Sequence, residues 1–122
     1  MKGKAKIIFN FEDIKSVLEL EEVVALISTG ERNSPEYGLT LMILKNMTQN
    51  KRSMTKEEMY DLYMRNREQI SKASFYRILN KLITRGMVVY DESSQNYQPS
   101  IFFSNALQRL AIAWETLVLG KE

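Results

Sequence analysis

Two helix-start signals and one helix-stop signal lie close together in the middle of the chain, and they constrain the fold more than any other feature. Thr55 and Glu58 have the spacing of a capping box, in which each side chain bonds a backbone N–H at a helix start. This helix is predicted to run to about Asn66. After a short turn, Ser71 can cap a second helix that ends at Gly86. The pattern predicts two helices joined by a turn.

A β-hairpin is predicted directly after Gly86. Met87 to Tyr90 is a strand-like apolar run, Asp91 to Asn96 is rich in turn residues, and Tyr97 to Phe103 forms the second strand. Pro99 cannot donate a backbone hydrogen bond, so it indicates an edge strand.

Three further helices are predicted around this segment. Glu12 to Ser28 is strongly apolar at near-helical spacing. A second helix begins at Ser34-Pro35-Glu36, with serine as N-cap and proline at the first position. A last helix is predicted to open at Ser104. The second helix directs four apolar side chains inward, namely Leu39, Met42, Ile43 and Met47.

The length of 122 residues fits one domain with a single core, and no repeat or linker divides the chain. The fold class is predicted to be mainly α with a small β-hairpin, that is, α+β. The expected layout is an N-terminal helix over residues 12–30, a core over 34–103 and a C-terminal helix over 104–119, all within one domain spanning 1–122.

The amino-acid composition excludes several classes of function. The chain has no cysteine and no histidine, so disulfides, thiolate metal sites and imidazole-based catalysis are excluded. No paired-carboxylate, phosphate-loop or nucleophile motif appears, so we expect no enzyme, no catalytic residue, no cofactor and no metal site. The sequence contains no secretory signal and no apolar run long enough to span a bilayer, and a cytoplasmic location is expected.

Positive charge is concentrated in the middle of the chain. Between Lys45 and Arg85 there are ten Lys or Arg against four acidic residues, a local charge of +6 in a chain of net charge +2. Clustered positive charge attracts polyanions, which makes nucleic acid the first partner to test. An ordinary solvated basic face is the alternative.

One segment resembles a known family: Ser71-Lys-Ala-Ser-Phe-Tyr-Arg-Ile-Leu-Asn-Lys-Leu-Ile-Thr-Arg-Gly-Met-Val-Val-Tyr90. It is similar to the recognition helix and first wing strand of winged helix-turn-helix transcription regulators, and the close resemblance covers about Thr55 to Ile101. With its flanking helices, the chain looks like small archaeal winged-helix regulators and the multiple-antibiotic-resistance-regulator (MarR) type. The resemblance implies a winged-helix core that binds double-stranded DNA.

The candidate DNA-binding residues lie on the outward side of the helix after Ser71, whose inward side carries Phe75 and Leu79. Arg77 can pair with guanine and Asn80 with adenine, while Ser74 and Tyr76 can reach a base edge or a phosphate. Phosphate contacts are expected from Ser71, Lys72 and Lys81, and from Thr55 and Lys56 at the preceding helix. The alternative for each is a solvated surface residue, and Tyr76 can instead pack against the wing.

The wing tip departs from the family pattern. The segment from Asp91 to Asn96 contains two acids and no Lys or Arg, and acidic groups repel the phosphate backbone. Either its DNA contact is confined to Ser94, Gln95 and Asn96, or the wing faces elsewhere.

The last helix carries an apolar stripe that needs a partner. Its members are spaced by three and four, and we expect them to form a homodimer interface: Leu107, Leu110, Ala111, Trp114, Leu117 and Val118. In such a dimer the two recognition helices would be about 34 Å apart and would read a pseudo-palindrome. The alternative is that the first and last helices pack on each other within the monomer.

The sequence therefore favours a sequence-specific regulator of transcription, most simply a repressor that occludes a promoter. The second hypothesis is a winged helix that binds protein within a transcription or replication assembly, and the acidic wing favours it. The sequence shows no effector-binding motif, so a small-molecule effector is left open.

Overall fold

The computed structural model describes residues 19–27 and 35–121. In chain order the elements are α1 (Leu20–Ile27), α2 (Pro35–Gln49), β1 (Met54–Thr55), α3 (Lys56–Arg65), α4 (Lys72–Thr84), β2 (Val88–Asp91), β3 (Asn96–Pro99) and α5 (Ile101–Ala113), which continues into a π-helical turn, Trp114–Val118. The protein is mostly helical with one small antiparallel sheet, so the predicted α+β class is confirmed.

The sheet has three strands in the order β1-β3-β2. The β2–β3 hairpin is the predicted one, with Val88 opposite Pro99 and Tyr90 opposite Tyr97. Strand β1 pairs Met54 with Tyr97 and Thr55 with Asn96. Strand β1 is not predictable from the sequence, because a strand of two residues is too short to show an alternating pattern. The pairing attaches the start of α3 to the strand that leaves the wing tip.

The helix starts of α3 and α4 follow their capping signals. Thr55 Oγ1 accepts a hydrogen bond from the Glu58 backbone N–H at 3.0 Å, and Glu58 Oε1 accepts one from the Thr55 N–H at 2.8 Å. Ser71 caps α4 more simply, since its hydroxyl accepts a hydrogen bond from the Ser74 backbone N–H. Gly86 follows α4 with φ +82°, a left-handed conformation that glycine adopts without a Cβ penalty.

The core lies among α2, α3, α4 and the base of the hairpin. Its fully buried apolar side chains come from every one of these elements, including Ile43 and Met47 of α2, Met59 and Leu62 of α3, Phe75, Ile78, Leu79 and Leu82 of α4, and Val88 of β2. Leu39 and Met42, which were predicted to point inward, are partly buried against this core. The buried side of α4 thereby fixes which of its residues face outward.

The predicted boundary between the second hairpin strand and the last helix needs correction. The second wing strand ends at Pro99 rather than Phe103, and α5 begins at Ile101 rather than after Ser104. Ser100 is the N-cap, since its hydroxyl accepts a hydrogen bond from the Phe102 N–H. The predicted first helix is observed from Leu20, and its remaining residues, 12–18 and 28, lie outside the described residues, as does the proposed cap Ser34. No helix in the described ranges is both long and apolar enough to cross a membrane.

Candidate nucleic-acid interface

Helix α4 has one buried face and one polar, exposed face. Four apolar side chains of α4 are buried, and the opposite stripe consists of Ala73, Arg77, Asn80 and Thr84, which are all exposed and spaced by four, three and four residues. The helix contains three cationic residues and no acidic one. Of this stripe, Arg77 and Asn80 are among the predicted DNA-binding residues, whereas Ala73 and Thr84 are not, because neither carries a charge or an amide that would mark a contact.

Two hydroxyl groups stabilise the start of α4. Ser71 Oγ accepts a hydrogen bond from the Ser74 N–H at 3.1 Å and donates one to Ser74 Oγ at 3.0 Å. Ser71 is exposed, whereas Ser74 is half-buried. Both hydroxyls are therefore partly engaged in capping the helix, and the free N–H groups of the first turn lie at an exposed, acid-free helix end.

Arg77 and Asn80 are the exposed polar side chains in the middle of α4. Neither forms an ion pair or a side-chain hydrogen bond with another residue in the described part of the chain. Within residues 19–27 and 35–121, no side chain therefore competes with a ligand for their donors and acceptors. The side-chain positions agree with the outward direction that the sequence predicted for them.

Lys81 is held differently. Its Nζ lies 2.8 Å from Glu36 Oε2, and the other oxygen of Glu36 accepts a hydrogen bond from Arg85 Nη2 at 3.3 Å. The Glu36 side chain is only 12% exposed, so α2 supplies a nearly buried carboxylate to the second half of α4. The charge of Lys81 is compensated by this carboxylate, which the sequence analysis did not foresee because Glu36 is far away in the chain.

Tyr76 is half-buried rather than exposed, so the outward placement from sequence is corrected. Its ring packs edge-on against Phe75, with ring centres 5.1 Å apart. Burial raises the pKa of the Tyr76 phenol, and nearby Tyr97 and Tyr60 add smaller effects in the same direction. Tyr76 and Tyr97 of β3 are both partly buried against the same core.

Two lysines of the candidate set lie over tyrosine rings. Lys56 Nζ is 4.9 Å from the centre of the Tyr90 ring in the wing, and Lys72 Nζ is 5.5 Å from the centre of the Tyr60 ring on α3. Such cation–π contacts are weak at exposed positions, contributing about 0.5–1 kcal/mol. Both ammonium groups are consequently positioned by a ring yet remain available to an anion.

The wing tip is a tight turn organised by Asp91. Its carboxylate accepts hydrogen bonds from Ser94 Oγ at 2.8 Å, Ser93 Oγ at 2.9 Å and the Ser93 N–H at 3.2 Å. The hydrogen bond from Ser94 is the main cause of a lowered Asp91 pKa. Gln95 completes the turn in a left-handed conformation, with φ +58°. Of the two wing acids, Asp91 is therefore engaged within the turn, and Glu92 is the exposed one.

Helix α5 extends away from the core with its apolar residues uncovered. Phe103 in its first turn is half-buried and packs against the core, but every residue from Ser104 to Lys121 is exposed. Leu110 is 69%, Trp114 57% and Leu117 81% exposed. Within the described residues, the observed part of the first helix, Leu20–Ile27, leaves this stripe uncovered.

Among the described residues, no group of three or more acidic side chains has the arrangement of a metal site. The chain belongs to an archaeal protein family, whose match extends over residues 13–120. No curated protein matches the chain. No solved structure matches it either.

Proposed function

With membership of this archaeal family as the premise, we propose that the chain is a cytoplasmic, sequence-specific regulator of transcription that binds double-stranded DNA as a homodimer. The single observation that carries the proposal is the two-sided character of α4. Its apolar face is buried in the core, and its opposite face is polar, exposed and free of acidic side chains. A helix that reads the major groove needs both properties.

The order of elements supports a winged-helix reading of the fold. A helix, a short strand, two helices joined by a turn and a β-hairpin follow each other from α2 to β3. In this reading α4 is the recognition helix and the β2–β3 hairpin is the wing, as the resemblance in the sequence implies.

The contacts divide between base reading and positioning. Arg77 pairs with guanine and Asn80 with adenine, and the small side chains of Ala73 and Thr84 on the same stripe let the helix approach the base edges closely. Ser71, Lys72, Thr55 and Lys56 contact phosphates from two helix starts. Ser74, whose hydroxyl accepts a hydrogen bond from Ser71, donates its own proton to a base edge or a phosphate, and Lys81 takes a lesser part, since its ammonium is already paired with Glu36.

The homodimer forms through α5. Its apolar stripe continues from Phe103, which is part of the folded unit, to Val118 at the end of the π-helical turn. A large exposed apolar surface is uncommon on a monomer and typically marks an interface. A second copy of the same helix offers the matching stripe, and a two-fold dimer sets the two α4 helices about one DNA turn apart. Bound in this way across a promoter, the protein represses by occupying the site.

The test is a fluorescence-anisotropy titration with a random-sequence duplex and with duplexes selected from a random pool, at several salt concentrations. We expect an enriched pseudo-palindrome that is bound at least about a thousandfold more tightly than random DNA at moderate salt. Weak, steeply salt-dependent binding without enrichment would overturn the proposal.

The second candidate is a winged helix that binds protein in a transcription or replication assembly. The exposed Glu92 and the absence of Lys and Arg from the wing tip favour it, since such a wing repels phosphate. It predicts no enriched DNA sequence in the same titration, and retention of a protein partner on immobilised wild-type chain that is lost with Arg77→Glu.

A further inference from the structure

A small cavity lies between the start of α3 and the wing tip. Its volume is about 300 Å³, at the lower end of the range for small-ligand pockets. The lining comes from Thr55, Lys56 and Glu57 on one side and from Tyr90, Gln95 and Asn96 on the other. The β1–β3 pairing of Thr55 with Asn96 holds these two sides together.

The cavity combines an aromatic ring with a cation. Tyr90 packs against Tyr97 with ring centres 4.9 Å apart, which restrains its orientation, and the Lys56 ammonium lies over its face. A nucleobase can stack on a tyrosine ring irrespective of its identity, and a nearby lysine attracts the attached phosphate. Stacking of a base on this face requires the Lys56 ammonium to leave it, and pairing with the attached phosphate would compensate for the lost contact.

The wing side of the cavity offers unused hydrogen-bonding groups. The side-chain amides of Gln95 and Asn96 bond to no other residue in the described ranges. Ser94, by contrast, donates to Asp91 and accepts from Gln98 Nε2, so the turn that presents the two amides is held in place. On the opposite side the carboxylate of Glu57 can accept a hydrogen bond from an exocyclic amine, which cytosine has and thymine lacks.

We propose that this cavity binds one unpaired nucleotide, with its base stacked on Tyr90, its edge bonded by Gln95, Asn96 and Glu57, and its phosphate held by Lys56. The inference rests on the proposed DNA-binding function and extends it: the wing recognises an extrahelical base, while α4 reads paired DNA. The same chemistry would admit a free mononucleotide, so the two sources are tested separately.

The first experiment uses no duplex. Deoxycytidine monophosphate is titrated into ¹⁵N-labelled protein, with deoxythymidine monophosphate and inorganic phosphate as controls. We expect saturable shifts of the backbone amides of Lys56, Tyr90 and Gln95, with weaker binding of the thymidine nucleotide and no saturable shifts with phosphate. Equal shifts with phosphate alone would overturn the base-stacking proposal.

The second experiment compares a paired duplex with the same duplex carrying one bulged cytosine. Because a stacked base on an aromatic side chain stabilises a complex substantially, the bulged duplex is expected to bind about tenfold more tightly. Tyr90→Leu abolishes that difference, and Tyr60→Leu, which removes the other lysine-covered tyrosine outside the cavity, preserves it. Gln95→Gly, which suits the positive φ and so keeps the turn, reduces the difference.

The outcomes distinguish a free mononucleotide from an unpaired nucleotide of DNA as the ligand. They also distinguish failure of the cavity proposal from failure of the proposed DNA-binding function. Binding of the mononucleotide without a preference for the bulge identifies a free nucleotide as the occupant, and a preference lost in Tyr90→Leu identifies the unpaired DNA nucleotide. The absence of both overturns the inference. Affinity for the fully paired duplex, measured in the same titration, reports independently on the proposed DNA-binding function.

Discussion

Helices α4 and α5 both contain many apolar residues. Helix α4 buries its apolar face in the core, whereas α5 leaves most of its apolar residues exposed. In α4, Phe75 and Leu82 are fully buried, and the other face is polar. In α5, Leu110 and Leu117 are exposed although they repeat at helical spacing. The difference teaches that, in the proposed function, the two helices have different kinds of partner. The polar face of α4 suits the polyanion of the proposed function, whereas α5 leaves apolar side chains exposed within the described residues, and a second copy covers them in the proposed dimer.

The largest expected effect comes from a substitution in the buried face of α4. Phe75→Ala removes a fully buried ring from the core, and we expect a loss of about 3–5 kcal/mol in the free energy of unfolding. The matched surface variant is Gln108→Ala on exposed α5, for which a change within about 0.5 kcal/mol is expected. Urea denaturation followed by circular dichroism measures both. Similar losses for the two variants would contradict the assignment of the core.

The next largest effect is expected from a substitution in the exposed apolar stripe of α5. Leu110→Glu places a charge in the centre of the α5 stripe, and burying it in a dimer is so unfavourable that the dimer dissociation constant is expected to rise at least about a hundredfold. Analytical ultracentrifugation over a concentration series measures the constant. Gln108→Glu adds the same charge on the polar side of α5 and is expected to leave the dimer intact. A wild-type chain that sediments as a monomer throughout would refute the interface.

A smaller effect is expected from two cations of α4, Arg77 and Lys81, of which only Lys81 is paired with a carboxylate in the described chain. Arg77→Ala is expected to cost about 1–3 kcal/mol of binding free energy on a selected site and much less on random DNA. Lys81→Ala is expected to weaken all sequences alike and by less, because its ammonium is paired with Glu36. Anisotropy titrations with both duplexes measure these losses. If Arg77→Ala weakened specific and random DNA equally, it would not read a base.

The smallest effect concerns the wing tip. The Asp91 pKa is lowered from its ordinary value of 3.8, first by the Ser94 hydroxyl and then by that of Ser93. Since the folded-state pKa is depressed, the stability that this carboxylate contributes is present above the ordinary Asp range and is lost as pH falls through the folded pKa. Carboxyl-carbon NMR titration measures the value. Ser94→Ala should raise it more than Ser93→Ala, and an unchanged pKa in the Ser94 variant would contradict the turn geometry.

Local signals were sufficient to predict much of the fold. Helix capping at Thr55 and Ser71 and the helix stop at Gly86 involve residues within one turn of helix. Their geometry therefore depends only on neighbouring residues. Boundary errors arose where two local signals competed. Ser100 and Ser104 are both possible caps, and the strand pairing that ends at Pro99 selected the first.

The sequence by itself determined the helices, the hairpin and the two faces of α4, because periodicity and capping depend on residues that are close along the chain. Only the tertiary structure decided that Glu36 compensates Lys81, that Tyr76 packs inward, and that the wing lies against the start of α3 with a cavity between them. The first and the last of these features join residues that are distant in sequence. Their contacts depend on how helices and strands pack, which no local pattern encodes.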